Sequence, residues 1–105
     1  MDYLNCLKAL SNKTRLNILL WLKDPKENFG ELGWEPHPIE VDVDKYVCVG
    51  YIQKKAKQSQ STVSEHLSTL EKSGLIKAIK VKQWTLYARN EEVISELKNY
   101  INEEL

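Results

Sequence analysis

Apolar residues recur at helical spacing through most of this chain. Tyr3, Leu4, Leu7 and Leu10 predict a short first helix. Ser11-Asn12 supplies a cap for a second helix, with Thr14 and Arg15 in its first turn. Leu16, Ile18, Leu19, Leu20, Trp21 and Leu22 make that helix the most apolar element, predicted to be central and buried, and Pro25 is expected to stop it. Residues 25–46 break the pattern with Gly30, Gly33 and all three prolines. A connection of this length is unusual inside a small domain, so it reads as an inserted loop. Phe29 and Trp34 predict that part of it packs down.

Helical spacing resumes at residues 47–57, where Val49, Ile52 and Ala56 are expected to face inward. Gln58-Ser59 makes a turn, and Ser59 caps a further helix over residues 60–73. Val63, Leu67 and Leu70 form its core stripe, and Gly74 ends it as a C′ residue. Residues 75–81 and 84–89 have strand composition and are joined only by Lys82-Gln83. No glycine or asparagine sets that turn's type. A last helix from about residue 91 carries Val93, Ile94, Leu97, Tyr100 and Ile101 on one broad face. The predicted fold is mainly α with a small β-hairpin wing, in the order α-α-(long loop)-α-α-β-β-α. Helix, turn, helix and hairpin in succession are the layout of a winged helix-turn-helix.

At 105 residues the chain reads as one domain, residues 1–105, able to bury a modest core without disulfides. No apolar run approaches the ~20 residues of a membrane span, so no membrane partner is expected. The first residues, Met1-Asp2-Tyr3-Leu4-Asn5, lack a basic stretch followed by an apolar one, so no secretion signal is expected. Two cysteines, Cys6 and Cys48, make no disulfide framework. A cytoplasmic setting is the simplest reading.

The formal net charge is zero, which alone argues against a polyanionic partner. The distribution reverses that conclusion. Residues 53–89 carry eight cations and two anions, a balance of +6, whereas residues 24–44 balance to −6 and the last fifteen to −4. The basic block coincides with the helix-turn-helix and the hairpin. With Val63, Leu67 and Leu70 turned inward, Gln60, Ser61, Ser64, Glu65 and Ser68 face outward. Glutamine pairs with adenine in a bidentate contact, serine hydroxyls donate or accept, and Glu65 can accept from a cytosine amino group. Three serines on one exposed helix face add nothing to helix stability, so a polar solvent face explains them less well than recognition does. Lys54, Lys55 and Lys57 with the wing lysines Lys80 and Lys82 would supply salt-dependent affinity for phosphate.

These residues resemble the ArsR/SmtB family of dimeric winged-helix repressors. The match is carried by residues 7–16 (Leu7-Lys8-Ala9-Leu10-Ser11-Asn12-Lys13-Thr14-Arg15-Leu16), by residues 59–75 with Ser73-Gly74-Leu75-Ile76 at their end, and by Trp84-Thr85-Leu86-Tyr87 of the wing. It covers the chain apart from residues 25–46. The resemblance implies a sequence-specific regulator of transcription that binds a palindromic operator in double-stranded DNA as a homodimer. It implies base contacts from Gln60, Ser61, Ser64 and Glu65. Backbone contacts would come from Arg15, Lys54, Lys55, Ser59, Thr62, Lys80, Lys82 and Gln83. It implies dimerisation through the first and last helices, by Tyr3, Leu4, Leu7, Ile94, Leu97 and Ile101. Packing against their own domain explains the same apolar stripes.

The family's metal sites are not matched. The third-helix site uses two cysteines one residue apart, and Tyr46-Val47-Cys48-Val49-Gly50 has one cysteine and a glycine. The last helix has no histidine, and glutamates alone suit a borderline transition metal poorly. No metal and no cofactor are expected, and the effector is not identified. His37, between two prolines, reads as a surface loop residue, and His66 as a half-packed one. Cys6 and Cys48 are a candidate redox pair, to be weighed against two small core side chains. No nucleophile elbow, His-Glu-x-x-His or phosphate loop is present, so no enzyme is expected. Two alternatives stand beside the DNA-binding reading. One is a winged-helix protein-interaction module without DNA binding; the other is a thiol-based redox-sensing regulator using Cys6 and Cys48.

Overall fold

A computed structural model describes residues 2–36 and 45–105. The elements run α1 (Tyr3–Leu10), α2 (Lys13–Trp21), α3 (Pro25–Phe29), a single 3-10 turn (Gly30–Leu32), β1 (Val47–Cys48), α4 (Val49–Ala56), α5 (Gln60–Lys72), β2 (Ile76–Val81), β3 (Trp84–Arg89) and α6 (Glu91–Glu104). This is the winged helix-turn-helix expected from the sequence, with two additions.

The first addition is α3. Residues 25–46 were expected to be irregular, with Pro25 acting only as a stop. In fact α2 already ends at Trp21, and Pro25 opens a new helix. Asp24 is its N-cap, accepting a hydrogen bond from the Glu27 amide at 3.2 Å. Proline at the first helical position loses no hydrogen bond and arrives with its φ already set. The short helix seats Phe29 in the core with no exposed surface, edge-on to Trp21 at 6.4 Å between ring centroids. Trp34 follows it inward, its indole N–H donating to the Tyr46 carbonyl at 3.1 Å. His37 and Ile39 lie outside the described residues.

The second addition is β1. Residues 47–57 were expected to be helical throughout, but Val47 and Cys48 pair with Tyr87 and Leu86 of β3. The hairpin is therefore one part of a three-stranded antiparallel sheet in the order β1-β3-β2. Cys48 is at once the end of β1 and the N-cap position of α4. At the wing tip Val81 pairs with Trp84, and Lys82 takes a left-handed φ of 58° to close the two-residue turn.

Ile18, Ile52, Leu67, Leu70, Leu75 and Val47 fill the core between the helices and one face of the sheet, all essentially without exposed surface. Helix α2 was expected to be the buried central helix. It buries Ile18 and Leu19, but Leu16 and Leu20 are exposed. Six apolar residues among seven consecutive positions exceed what one buried face can take. Gly74, at φ 88°, ends the run after α5, and the Leu75 amide returns to the Leu70 carbonyl at 3.1 Å.

Arg89 is the one charged residue in the described core, at 8% exposure. Its guanidinium donates twice to Glu91, at 2.9 and 3.1 Å, and once to the Leu19 carbonyl at 3.4 Å. The hydrogen bond from Arg89, followed by its charge, holds the Glu91 carboxyl below its ordinary value of 4.5. A carboxylate depressed on folding stabilises the fold above its ordinary range, and that contribution is lost as pH falls through its folded value. Wild type should therefore lose stability more steeply below about pH 4.5 than Glu91→Gln does, measured by urea midpoints across that range. Parallel profiles would show that the pair contributes nothing.

Candidate nucleic-acid interface

The helix-turn-helix is α4, a turn, and α5. Lys57 closes α4 in the left-handed region at φ 57°, and its amide returns to the Gln53 carbonyl. Gln58 ties the turn to α2 by donating to the Thr14 hydroxyl at 2.9 Å. Ser59 then caps α5, its hydroxyl accepting from the Thr62 amide at 3.2 Å and donating to the Thr62 hydroxyl at 2.9 Å. The Ser59 and Thr62 side chains thus set the first turn of α5.

Val63, Leu67 and Leu70 are fully buried, which fixes the rotation of α5 about its axis. Gln60, Ser61, Ser64 and Glu65 are all exposed, and Ser68 is half-buried. Lys54 lies 5.6 Å from the Tyr51 ring and Lys55 5.5 Å from the Trp21 ring, so both ammoniums sit over aromatic faces beside the turn. Lys80, Lys82 and Gln83 are exposed on the wing.

Arg15 is placed differently from a free phosphate contact. Its guanidinium donates to the Ala9 carbonyl at 2.6 Å and to the Lys8 carbonyl at 3.5 Å, and sits 3.2 Å from His66 Nδ1. It ties the C-terminal end of α1 to the middle of α5. His66 is half-buried by this contact.

Of the residues assigned to a dimer interface, Leu4, Leu7 and Ile101 are exposed, and Tyr3 stacks on Tyr100 at 4.0 Å, joining α1 to α6. Ile94 and Leu97 instead lie in the domain's own core, at 6% and 5% exposure. Leu16 and Leu20, one turn apart on α2, are exposed as well.

The two cysteines belong to separate apolar clusters. Cys6 is buried in the main core and donates to the Ser73 carbonyl at 3.4 Å. Cys48 packs beside Tyr46, Leu86 and Ala88. Burial pushes both thiols up, away from the thiolate that redox chemistry uses.

A cleft of about 760 Å³ opens between α4, the start of α5 and β3. Sequence reading missed it. Its lining comes from segments far apart in the chain, and no local pattern marks it.

The architecture defines a winged helix-turn-helix domain with an exposed polar face on α5. A family model described as bacterial regulatory protein, arsR family, matches residues 45–78. An uncharacterized HTH-type transcriptional regulator of Bacillus subtilis (strain 168), YbzH, is 41% identical over 106 residues, spanning 100% of both chains. The transcriptional regulator HlyU from Vibrio vulnificus CMCP6 shares 28% identity and a TM-score of 0.60, over 94% of this chain and 83% of that one. HlyU from Vibrio cholerae N16961 gives 25% and 0.62, over 97% and 91%. The chain belongs to the ArsR family of bacterial regulatory proteins, and it is a DNA-binding transcriptional regulator, not an enzyme. Among the described residues no helix is long and apolar enough to cross a membrane.

Proposed function

We propose that the protein is a cytoplasmic repressor that binds a palindromic operator as a homodimer. One observation carries the reading: buried Val63, Leu67 and Leu70 turn Gln60, Ser61, Ser64 and Glu65 outward together, inside the +6 segment of a chain whose total charge is zero. In this reading α5 enters the major groove, and Gln60 with the two serines reads base edges. Glu65 accepts from a cytosine amino group and excludes phosphate from its side of the helix. Lys54, Lys55, Lys80 and Lys82 bind phosphates, while Ser59, Thr62 and Gln83 approach the backbone. Arg15 acts from behind, holding α5 against α1. Dimerisation through exposed Leu4, Leu7 and Ile101 sets two recognition helices roughly 34 Å apart, one turn of duplex. Occupation of such a site excludes polymerase.

The test is selection of random genomic fragments by the purified protein at two salt concentrations. Enrichment of an inverted repeat is expected; enrichment of no sequence would overturn the reading. Gln60→Ala should then cost ~1–3 kcal/mol on the selected site and nothing on random DNA. Lys82→Asn should weaken all DNA alike and reduce the salt slope by about one. Asparagine is chosen because it tolerates the left-handed φ at this position. Equal losses on specific and random DNA for Gln60→Ala would remove it from the base-reading face.

A further inference from the structure

We propose that the cleft beside the recognition helix is an effector site for a planar aromatic carboxylate, and that its occupant competes with DNA. The coupling to DNA rests on the DNA-binding reading above; binding of the ligand does not.

The cleft's volume of about 760 Å³ falls within the range of small-molecule sites, which is roughly 300–1,000 Å³. Five aromatic side chains line it, more than half of the nine in the chain: Trp34, Tyr46, Tyr51, Trp84 and Tyr87. Four of the five also pack in or against the apolar cores, Trp84 does not, and ring faces are the natural partners of a flat apolar ligand. Trp34 and Tyr46 are buried, at 6% and 8% exposure, and present only small parts of their rings to the cleft; the Trp34 indole is held by its hydrogen bond to the Tyr46 backbone carbonyl. Tyr51 is held in turn by its hydroxyl, which donates to the Gly33 carbonyl at 3.4 Å. Part of the wall is therefore preformed. Trp84, by contrast, is half exposed, an expensive position for an indole with nothing over it.

Charge selects among aromatic ligands. Lys54 is the one cation among the described lining residues, and Glu35 the one acid. Residues 53–89, which supply Lys54, Gln60, Ser64 and the wing side, balance to +6, whereas residues 24–44, which supply Trp34 and Glu35, balance to −6, so the preference for an anion rests on Lys54 itself. A carboxylate on Lys54 with the ring among the aromatic side chains satisfies both features.

Gln60 and Ser64 belong to the lining as well as to the base-reading face, and Gln83 and Trp84 to the wing. A ligand in the cleft contacts the residues that DNA needs. Binding of one therefore opposes binding of the other, by the same factor in each direction.

Gly50 allows the test. It lines the cleft near the start of α4, and a Cβ built there meets nothing within 4 Å. Gly50→Leu therefore obstructs the cleft without disturbing the core, and leucine favours the helix. The full chain is titrated with naphthoate, read by quenching of tryptophan fluorescence, since Trp34 and Trp84 both line the site. Saturable quenching is expected in wild type, with at least a tenfold loss (about 1.4 kcal/mol) in Gly50→Leu at unchanged melting temperature. Lys54→Met should weaken naphthoate roughly tenfold and leave naphthalenemethanol unaffected. No saturable quenching, or equal quenching in Gly50→Leu, overturns the site. Naphthalenemethanol or naphthylamine binding as tightly as naphthoate overturns the carboxylate. In a second arm, naphthoate should release selected DNA from wild type but not from Gly50→Leu. Ligand binding without release overturns the coupling, and failure to bind DNA at all overturns only the DNA-binding reading.

Discussion

Phe29→Ala should cost about 3–5 kcal/mol and leave a marginal fold at best. A buried phenylalanine loses its transfer free energy and leaves a cavity that close-packed neighbours fill only in part. Phe29 has no exposed surface and closes the core against the edge of Trp21. A small domain has only about 5–15 kcal/mol of net stability to lose. One kcal/mol shifts the midpoint of a chain this size by roughly 4 °C or more, so the melting temperature should fall by at least about 12 °C. Glu31→Ala, on the exposed 3-10 turn that follows, should change it by less than about 2 °C. A small shift for Phe29→Ala would mean that residues 25–34 are an appendage, not part of the core.

That prediction concerns a region whose order was only half legible in the sequence. Phe29 and Trp34 announced burial by size and apolarity, but five residues of helix are too few for periodicity to register. The usable signal was local chemistry: Asp24 followed by Pro25 is a cap and a first helical residue, not merely a stop. Strand β1 left less trace. Two residues cannot alternate, and Val47-Cys48 is a strand only because Leu86 and Tyr87 lie alongside, some forty residues away. Helix α5 was legible throughout, since Ser59, the stripe of Val63, Leu67 and Leu70, and Gly74 mark its start, face and end independently. The wing was legible from composition, although its turn depends on Lys82 in a conformation that glycine or asparagine would signal better.

The site divides in the same way. Outward positions on α5 followed from the inward ones. The engagement of Arg15 with the Lys8 and Ala9 carbonyls did not, because a cation at a helix start suits a phosphate or a neighbouring helix's carbonyls equally well. Nor could spacing separate Ile94 and Leu97, which face their own core, from Ile101, which faces outward on the same helix. An apolar stripe records that it is covered, not what covers it. The cleft was invisible because its aromatic side chains converge only when α4, α5 and the sheet are assembled.

Leu4→Glu should separate the proposed dimer and weaken operator binding by roughly 10²–10⁴. Leu4 is 61% exposed on α1, too much for a core role within one domain. Beside it stand Leu7 and, on α6, Ile101, with the Tyr3–Tyr100 stack fixing the two helices to each other. Because the stack joins α1 to α6, an apolar surface built from both helices moves as one body. A glutamate at position 4 would place a charge in the centre of that surface, where Tyr3, Leu7, Tyr100 and Ile101 give it no partner and only Lys8, one turn along α1, is within reach from the rim. The fold of each subunit should be untouched, with an unchanged melting profile under conditions where wild type is also monomeric. The loss in DNA affinity follows from geometry. In a dimer the second α5 meets its half-site at an effective concentration set by the first, and that advantage vanishes with the partner. Sedimentation should report half the wild-type mass, and the salt slope of binding should fall to about half, since each lone subunit neutralises half the phosphates. Full mass with full affinity would place the dimer contact elsewhere, and exposed Leu16 and Leu20 on α2 would be the surface to change next.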